Sequence, residues 1–129
     1  MTSKHSNATL DNRTISEDLE SFIDRYESIV LVAFGGYLIS PKPLLIELAE
    51  VTKPFIKRVG FVFAVTPGHR AHEEIEEMGL ANIHLVPQTP IDLLSHAKLK
   101  LWITHCGASP SLEAIYHGIP LLGFPVTPE

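Results

Sequence analysis

Between Leu101 and Pro120 the chain gathers the residue types that can bind an anion and a sugar together. His105, Cys106, Gly107, Ser109, Ser111 and Glu113 follow one another there, after the apolar run Leu101 to Ile103 and before Gly118 and Pro120. The order reads as strand, glycine-containing loop, helix. A helix that starts after a strand leaves unpaired N–H groups at its first turn, and its dipole is positive there, so it attracts anions. His105 beside that turn can donate a hydrogen bond to a phosphate oxygen. Glu113, one turn into the helix, can accept from vicinal sugar hydroxyls. The bland alternatives stand beside these: a turn histidine, and a solvated carboxylate placed well for the dipole. Cys106 as a nucleophile needs a base and an exposed thiolate, and no partner can be named for it. A packing or loop role fits it better.

The elements that must position this loop alternate regularly. Ser28 to Phe34 and Val59 to Val65 are continuous apolar, β-branched runs, as in strands buried on both faces. Asn82 to Val86, Lys100 to Thr104 and Pro120 to Phe124 are three further strands. Between them lie helical stretches. Ser16 caps a first helix whose Leu19, Phe22, Ile23 and Tyr26 share one face, expected to pack on the sheet edge. Ser40 and Pro41 open a second, with an apolar stripe of Leu44, Leu45, Leu48 and Val51, which Pro54 ends or kinks. Ala71 to Met78 is a third, stopped by Gly79. Ile91 to His96 is a short one, and Ser109 to His117 the last. The expectation is an α/β, Rossmann-like parallel sheet of about five strands with right-handed crossovers and flanking helices. Residues 1–15 are polar and read as a loose tail; residues 16–129 form the domain. Ligands of such sheets sit beyond the carboxyl ends of the strands. The residues there are Gly35-Gly36, Thr66-Pro67-Gly68, Val86-Pro87-Gln88, His105 to Ser109 and Phe124-Pro125, which points to a single cleft.

Bulk properties exclude several classes. The chain has 129 residues, 45% hydrophobic and 19% charged, which is globular composition with room for one core. Its formal net charge of −5, without basic clusters, argues against nucleic acid and anionic membrane surfaces. An anion must then be held by local dipoles and backbone donors. Cys106 is the single cysteine, so no internal disulfide forms. No stretch approaches the roughly 20 apolar residues of a membrane span, and Met1 to Thr14 lacks a signal-peptide core. A cytoplasmic location is the corresponding expectation for this chain. Asn7-Ala8-Thr9 and Asn12-Arg13-Thr14 match the glycosylation acceptor pattern, which is common by chance. His69 with His72 is the one close histidine pair, no Cys or carboxylate cluster joins it, and no metal site is assigned. Neither a G-x-G-x-x-G nor a G-x-x-x-x-G-K-[ST] motif occurs. Gly35-Gly36 therefore reads either as a tight turn or as a place where phosphate meets bare backbone.

Taken together, several segments resemble the signature of the UDP-glycosyltransferases of the GT-B superfamily. They are Leu85-Val86-Pro87-Gln88, Asp92-Leu93-Leu94-Ser95-His96, Ile103-Thr104-His105-Cys106-Gly107, Glu113-Ala114-Ile115-Tyr116-His117-Gly118-Ile119-Pro120 and Gly123-Phe124-Pro125. Val30 to Gly36 resembles the start of that family's C-terminal, donor-binding domain, so the likeness runs from about Leu19 to Glu129. The resemblance implies a UDP-sugar as donor substrate, no separate cofactor, and transfer of a hexosyl group to an acceptor hydroxyl with inversion. It implies that Gln88 and the backbone near Val86 contact uracil. His105 bonds the diphosphate, with Gly107 and the helix start at Ser109 to Ser111 adding donors. Glu113 binds the ribose hydroxyls, and Glu129 stands where the family carries an acidic residue against the donor sugar. Gly35 and Gly36 line the phosphate side.

The sequence also departs from the family pattern. Leu85 stands where the family usually has a Trp that stacks on uracil. Two extra residues separate Gln88 from Asp92. Ser109 replaces an Asn, and Gly36 a Ser. Pro110 occupies a position whose N–H often reaches phosphate; proline lacks that donor, although its fixed φ suits a helix start. The family's catalytic His and its partner Asp belong to an N-terminal acceptor domain that these residues do not match, and Glu129 stands just before the sugar-contacting Gln of the family. The domain is thus expected to be incomplete at its C-terminus, without transferase activity as an isolated chain, and dependent on a GT-B N-terminal acceptor domain or subunit. A degenerate remnant that binds nothing is the remaining reading.

Overall fold

A computed structural model describes residues 15–34, 42–104 and 117–123. The described residues form five strands: β1 (Ser28–Val32), β2 (Val59–Ala64), β3 (Ile83–Val86), β4 (Leu99–Thr104) and β5 (Leu121–Gly123). All their pairings are parallel, and their order in the sheet is β3-β2-β1-β4-β5. The helices are α1 (Glu17–Asp24), α2 (Lys42–Val51) and α3 (Arg70–Met78). Short 3₁₀ turns lie at Lys53–Phe55 and Ile91–Ser95. The expected α/β, Rossmann-like sheet is what the chain forms.

The apolar runs explain the arrangement. A parallel strand covered on both faces has no solvent face to alternate with, and β1 is buried from Ile29 to Val32. Successive side chains then split between two clusters. Ile29, Leu31, Val62 and Trp102 face one cluster, with Leu19, Phe22 and Ile23 of α1, Tyr26 just after it, and Leu93, Leu94 and Ile119. Val30, Val32, Phe61, Phe63 and Ile103 face the other, with Leu45 and Ala49 of α2 and with Ala71 and Ile75 of α3.

The helix ends obey local chemistry. Ser16 Oγ accepts from the Leu19 N–H at 3.2 Å and caps α1. The Lys98 ammonium donates to the Ile23 carbonyl at 3.1 Å, placing a cation at the negative end of the same helix. His69 Nδ1 accepts from the Ala71 N–H at 3.0 Å and caps α3, which ends at Gly79 with φ 62°. Gly60 is required by close approach: a Cβ there would meet Tyr26 Cδ2 at 2.8 Å and Phe22 Cε2 at 3.0 Å. This lets α1 sit directly on β2.

Three expectations are corrected. Helix α1 lies on a sheet face and not only at the edge: Phe22 and Tyr26 close over Gly60 of β2, while the Phe22 ring also reaches His84 on the edge strand β3 at 5.2 Å. The second helix turns Leu45 and Ala49 inward, and leaves Val51, read as part of the stripe, 58% exposed at its end. The Ile91 to His96 stretch forms a 3₁₀ turn, since a segment this short does not propagate an α-helix. The expected strands are observed as β1 to β5 with ends shifted by a residue or two, apart from Phe124, which lies outside the described residues.

Candidate functional site

Strand order decides where a ligand fits. From β1 the chain moves outward to β2 and β3, then crosses back to place β4 on the other side of β1. The direction of winding therefore reverses between β1 and β4, and the carboxyl ends of the strands at such a reversal are where sheets of this kind hold their ligands. The two strands run side by side to their ends: Val32 lies opposite Ile103, and the Ala33 N–H donates to the Ile103 carbonyl at 2.9 Å. Gly35 and Gly36 follow β1 in the sequence, and His105 and Gly107 follow β4.

Of the candidate residues, Val86 and Gln88 fall within the described part. Gly35, Gly36, His105, Gly107, Ser109, Ser111, Glu113 and Glu129 lie outside the described residues. Val86 closes β3 and is buried against the cluster that holds Ala33, Leu93 and Trp102. Its carbonyl accepts from the Val65 N–H at 2.8 Å, so this part of the backbone is already engaged in the β2–β3 ladder. The exposed Gln88, two residues further on, is the freer group at this strand end. Leu85, at the family's Trp position, is partly buried against the α2–α3 side.

The carboxyl ends of β3 and β4 are three strand spacings apart, about 14 Å at the usual separation. An extended nucleoside diphosphate can lie across such a distance, its base at one strand end and its phosphates at the other.

The described histidines have other tasks. His69 caps α3, and His96 Nδ1 accepts from the Lys98 N–H at 3.1 Å in the turn before β4. His117 is helical and is followed by Gly118 with φ 71°, as the sequence led one to expect for the end of the last helix. His84 on β3 packs its ring 5.2 Å from that of Phe22. Burial holds its pKa below the ordinary histidine value; Asp18 opposes that shift and Arg25 adds to it. Among the described residues no helix is long and apolar enough to cross a membrane, and no group of three His, Cys, Asp or Glu side chains could hold a metal ion.

One polar residue at the reversal point was not singled out from the sequence. Thr104 ends β4, is fully buried, and its hydroxyl has no hydrogen-bond partner among the described residues. A polar side chain directly after the apolar run Leu101 to Ile103 was the available signal.

Comparison with known proteins gives this geometry a family. The family model described as "UDP-glucoronosyl and UDP-glucosyl transferase" matches residues 13–129. UDP-glucuronosyltransferase 3A1 of Mus musculus is 31% identical over 120 residues, 86% of this chain but 21% of that protein. UDP-glycosyltransferase 74E1 of Arabidopsis thaliana is 31% identical over 99 residues, 76% of this chain and 22% of its own length. Among solved structures, Os79 from O. sativa in complex with UDP superposes with a TM-score of 0.71 at 26% identity, over 88% of this chain and 26% of that one. The chain thus spans about a fifth of the length of these curated relatives. With the reversed sheet order and a family match over nearly all of its length, the chain belongs to the UDP-glucuronosyl and UDP-glucosyl transferases.

Proposed function

We propose that this chain is the UDP-sugar-binding portion of an inverting glycosyltransferase. The observation that carries the reading is the order of the candidate residues along the strand ends. Gln88 and Val86 stand at β3, on one side of the sheet, where the base would lie. Gly35, Gly36, His105 and Gly107 follow β1 and β4 in the sequence, at the reversal point, where the diphosphate would lie. Ser109 and Ser111 add donors to the phosphates, Glu113 takes the ribose hydroxyls, and Glu129 faces the donor sugar. The likeness to Os79, solved with UDP, supports the same ligand class here.

In this reading the protein's contribution to transfer is electrostatic. Donors fixed around the diphosphate stabilise the negative charge that grows on it as the sugar leaves. The acceptor hydroxyl attacks from the opposite face of the sugar, activated by a base on a separate N-terminal acceptor domain. The 129 residues tested by themselves are expected to bind UDP and to form no glycoside.

Isothermal calorimetry with UDP is the direct test. Saturable binding is expected, weakened on the order of tenfold or more by His105→Ala or Glu113→Ala, since each removes a charge-assisted or bidentate contact. Absence of heat at millimolar UDP would favour a remnant without ligand. Glycoside formed from a UDP-sugar by this chain alone would refute the division of labour.

A further inference from the structure

Four large apolar side chains are exposed among the described residues, and three of them, Val51, Phe55 and Ile56, fall within six residues of sequence. Exposed apolar groups scattered singly need no explanation; grouped on one turn, they mark a surface that meets something other than water. Val51 is 58% exposed, Phe55 45% and Ile56 39%. The fourth, Leu122, lies on β5, three strands away from β2.

The turn that carries them is held firmly. Thr52 is buried, and its carbonyl accepts from Asn82 Nδ2 at 3.0 Å. The Phe55 N–H donates to the Thr52 carbonyl, and the Arg58 N–H to the Phe55 carbonyl, both at 3.0 Å. The Phe55 ring stands 6.4 Å from that of the buried Phe61 on β2. It is thus anchored on the core while nearly half of the residue stays in solvent. Cations stand among these groups. Lys53, Lys57 and Arg58 are exposed, and they are three of the chain's ten Lys and Arg residues. Lys53 pairs with Glu50 at 2.8 Å, and no acidic residue follows in sequence until Glu73. The formal net charge of −5 hides this local excess.

Apolar side chains on a firm turn, with long basic ones beside them, match the boundary between anionic headgroups and acyl chains: the apolar groups enter it and the cations stay with the phosphates. A protein partner fits less well. A stable protein interface takes about 20–30 residues a side, and the surface beyond the turn changes sign, since α2 and its neighbour α3 expose Glu47, Glu76 and Glu77. Those acids confine contact with an anionic surface to the turn itself. We propose that the turn 51–58 is a peripheral docking site for an anionic membrane surface, with Phe55 and Ile56 entering the headgroup–acyl boundary and Lys57 and Arg58 meeting lipid phosphates. Val59 at its end begins β2, so the turn lies at the amino end of the sheet, opposite the strand ends assigned to UDP. Docking there leaves those ends uncovered, and the inference does not depend on the UDP-binding reading.

Vesicle sedimentation of the 129-residue chain tests it, with phosphatidylcholine alone and with about 30% phosphatidylserine added. The wild type is expected to partition onto the anionic vesicles at least about tenfold more strongly than onto the neutral ones. The double variant Lys57→Gln, Arg58→Gln should weaken that partitioning on the order of 25-fold, about fivefold for each cation. Phe55→Ser and Ile56→Ser should each weaken it on the order of tenfold. Urea unfolding of each variant separates lost docking from lost folding, and Ile56→Ser keeps the test open if Phe55→Ser does not fold, because Ile56 lies outside the Phe55–Phe61 contact. Absence of sedimentation with either vesicle, or equal partitioning onto both, overturns the proposal. Partitioning that survives in Ile56→Ser overturns it as well, since charge alone would then hold the chain. Concentration-dependent self-association that Ile56→Ser abolishes would overturn it in favour of a second copy of the chain.

Discussion

Asn82 is the residue on which the amino end of the sheet depends. It is fully buried, and its Nδ2 donates to the Thr52 carbonyl at 3.0 Å and to the Val59 carbonyl at 3.3 Å. Its own carbonyl accepts from the Phe61 N–H at 2.7 Å, and Thr52 Oγ1 donates to the Ala49 carbonyl at 2.7 Å. One side chain thus ties the end of α2 to the starts of β2 and β3. Asn82→Ala removes both side-chain bonds, of which the one to the Thr52 carbonyl is buried and the one to the Val59 carbonyl partly buried. We expect a loss of about 2–3 kcal/mol in urea-unfolding stability, with UDP affinity unchanged because the site is at the other end of the strands. An effect below about 0.5 kcal/mol would show that water replaces the amide readily. From the sequence Asn82 read only as the first residue of a short strand. What it binds is set by Thr52 and Val59, which are distant in the chain, so no local pattern could reveal it.

At the scale of elements, the junction of α1 with β3 has its own pH dependence. Phe22 and Tyr26 pack ring against ring at 5.1 Å, and the Arg25 guanidinium lies over both rings. Arg25 and the Tyr26 hydroxyl both donate to the Ala81 carbonyl, just before β3. His84 completes the contact from β3, and burial lowers its pKa below 6.5, with Asp18 pulling the other way and Arg25 reinforcing the shift. In this case the unfolded chain binds the proton more readily than the folded one. Stability is therefore full above the unfolded value, falls as pH drops from about 6.5 towards the lower folded value, and levels off below it. His84→Gln should remove that component, and unfolding curves at pH 8, 7, 6 and 5 would show the difference. Parallel slopes for both proteins through that interval would contradict the assignment. The elements themselves were largely legible: five apolar runs, Ser16 as a cap and Gly79 as a stop can be read directly. The placement of α1 on a face was not, because it depends on the missing side chain of Gly60 and on which central strands α1 meets.

For the whole molecule, the sheet order is the link between sequence and function. Alternating strands and helices predict a parallel sheet, but not which strand lies beside which; the reversal between β1 and β4 appears only in three dimensions. The motifs then acquire a place: Gln88 and Val86 at the β3 end, and the segments bearing His105 and Glu113 after β4 in the sequence. The candidate site was legible as a family signature, whereas the burial of the Thr104 hydroxyl, without a partner among the described residues, was not, since burial is a tertiary property. A ligand that binds across the ends of β3, β2, β1 and β4 should stabilise the sheet as a unit. At a hundredfold excess over its dissociation constant, UDP would add about 2.7 kcal/mol, because it binds the folded state alone. For a domain of this size that corresponds to a rise in Tm on the order of 10 °C in a thermal-shift experiment. UMP at the same concentration should produce a smaller rise, since it lacks the second phosphate. Inorganic phosphate should produce little, since it cannot reach the base side of the cleft. Equal shifts for UDP and inorganic phosphate would mean that the strand ends hold an anion only, and that the base contact assigned to Gln88 is not made.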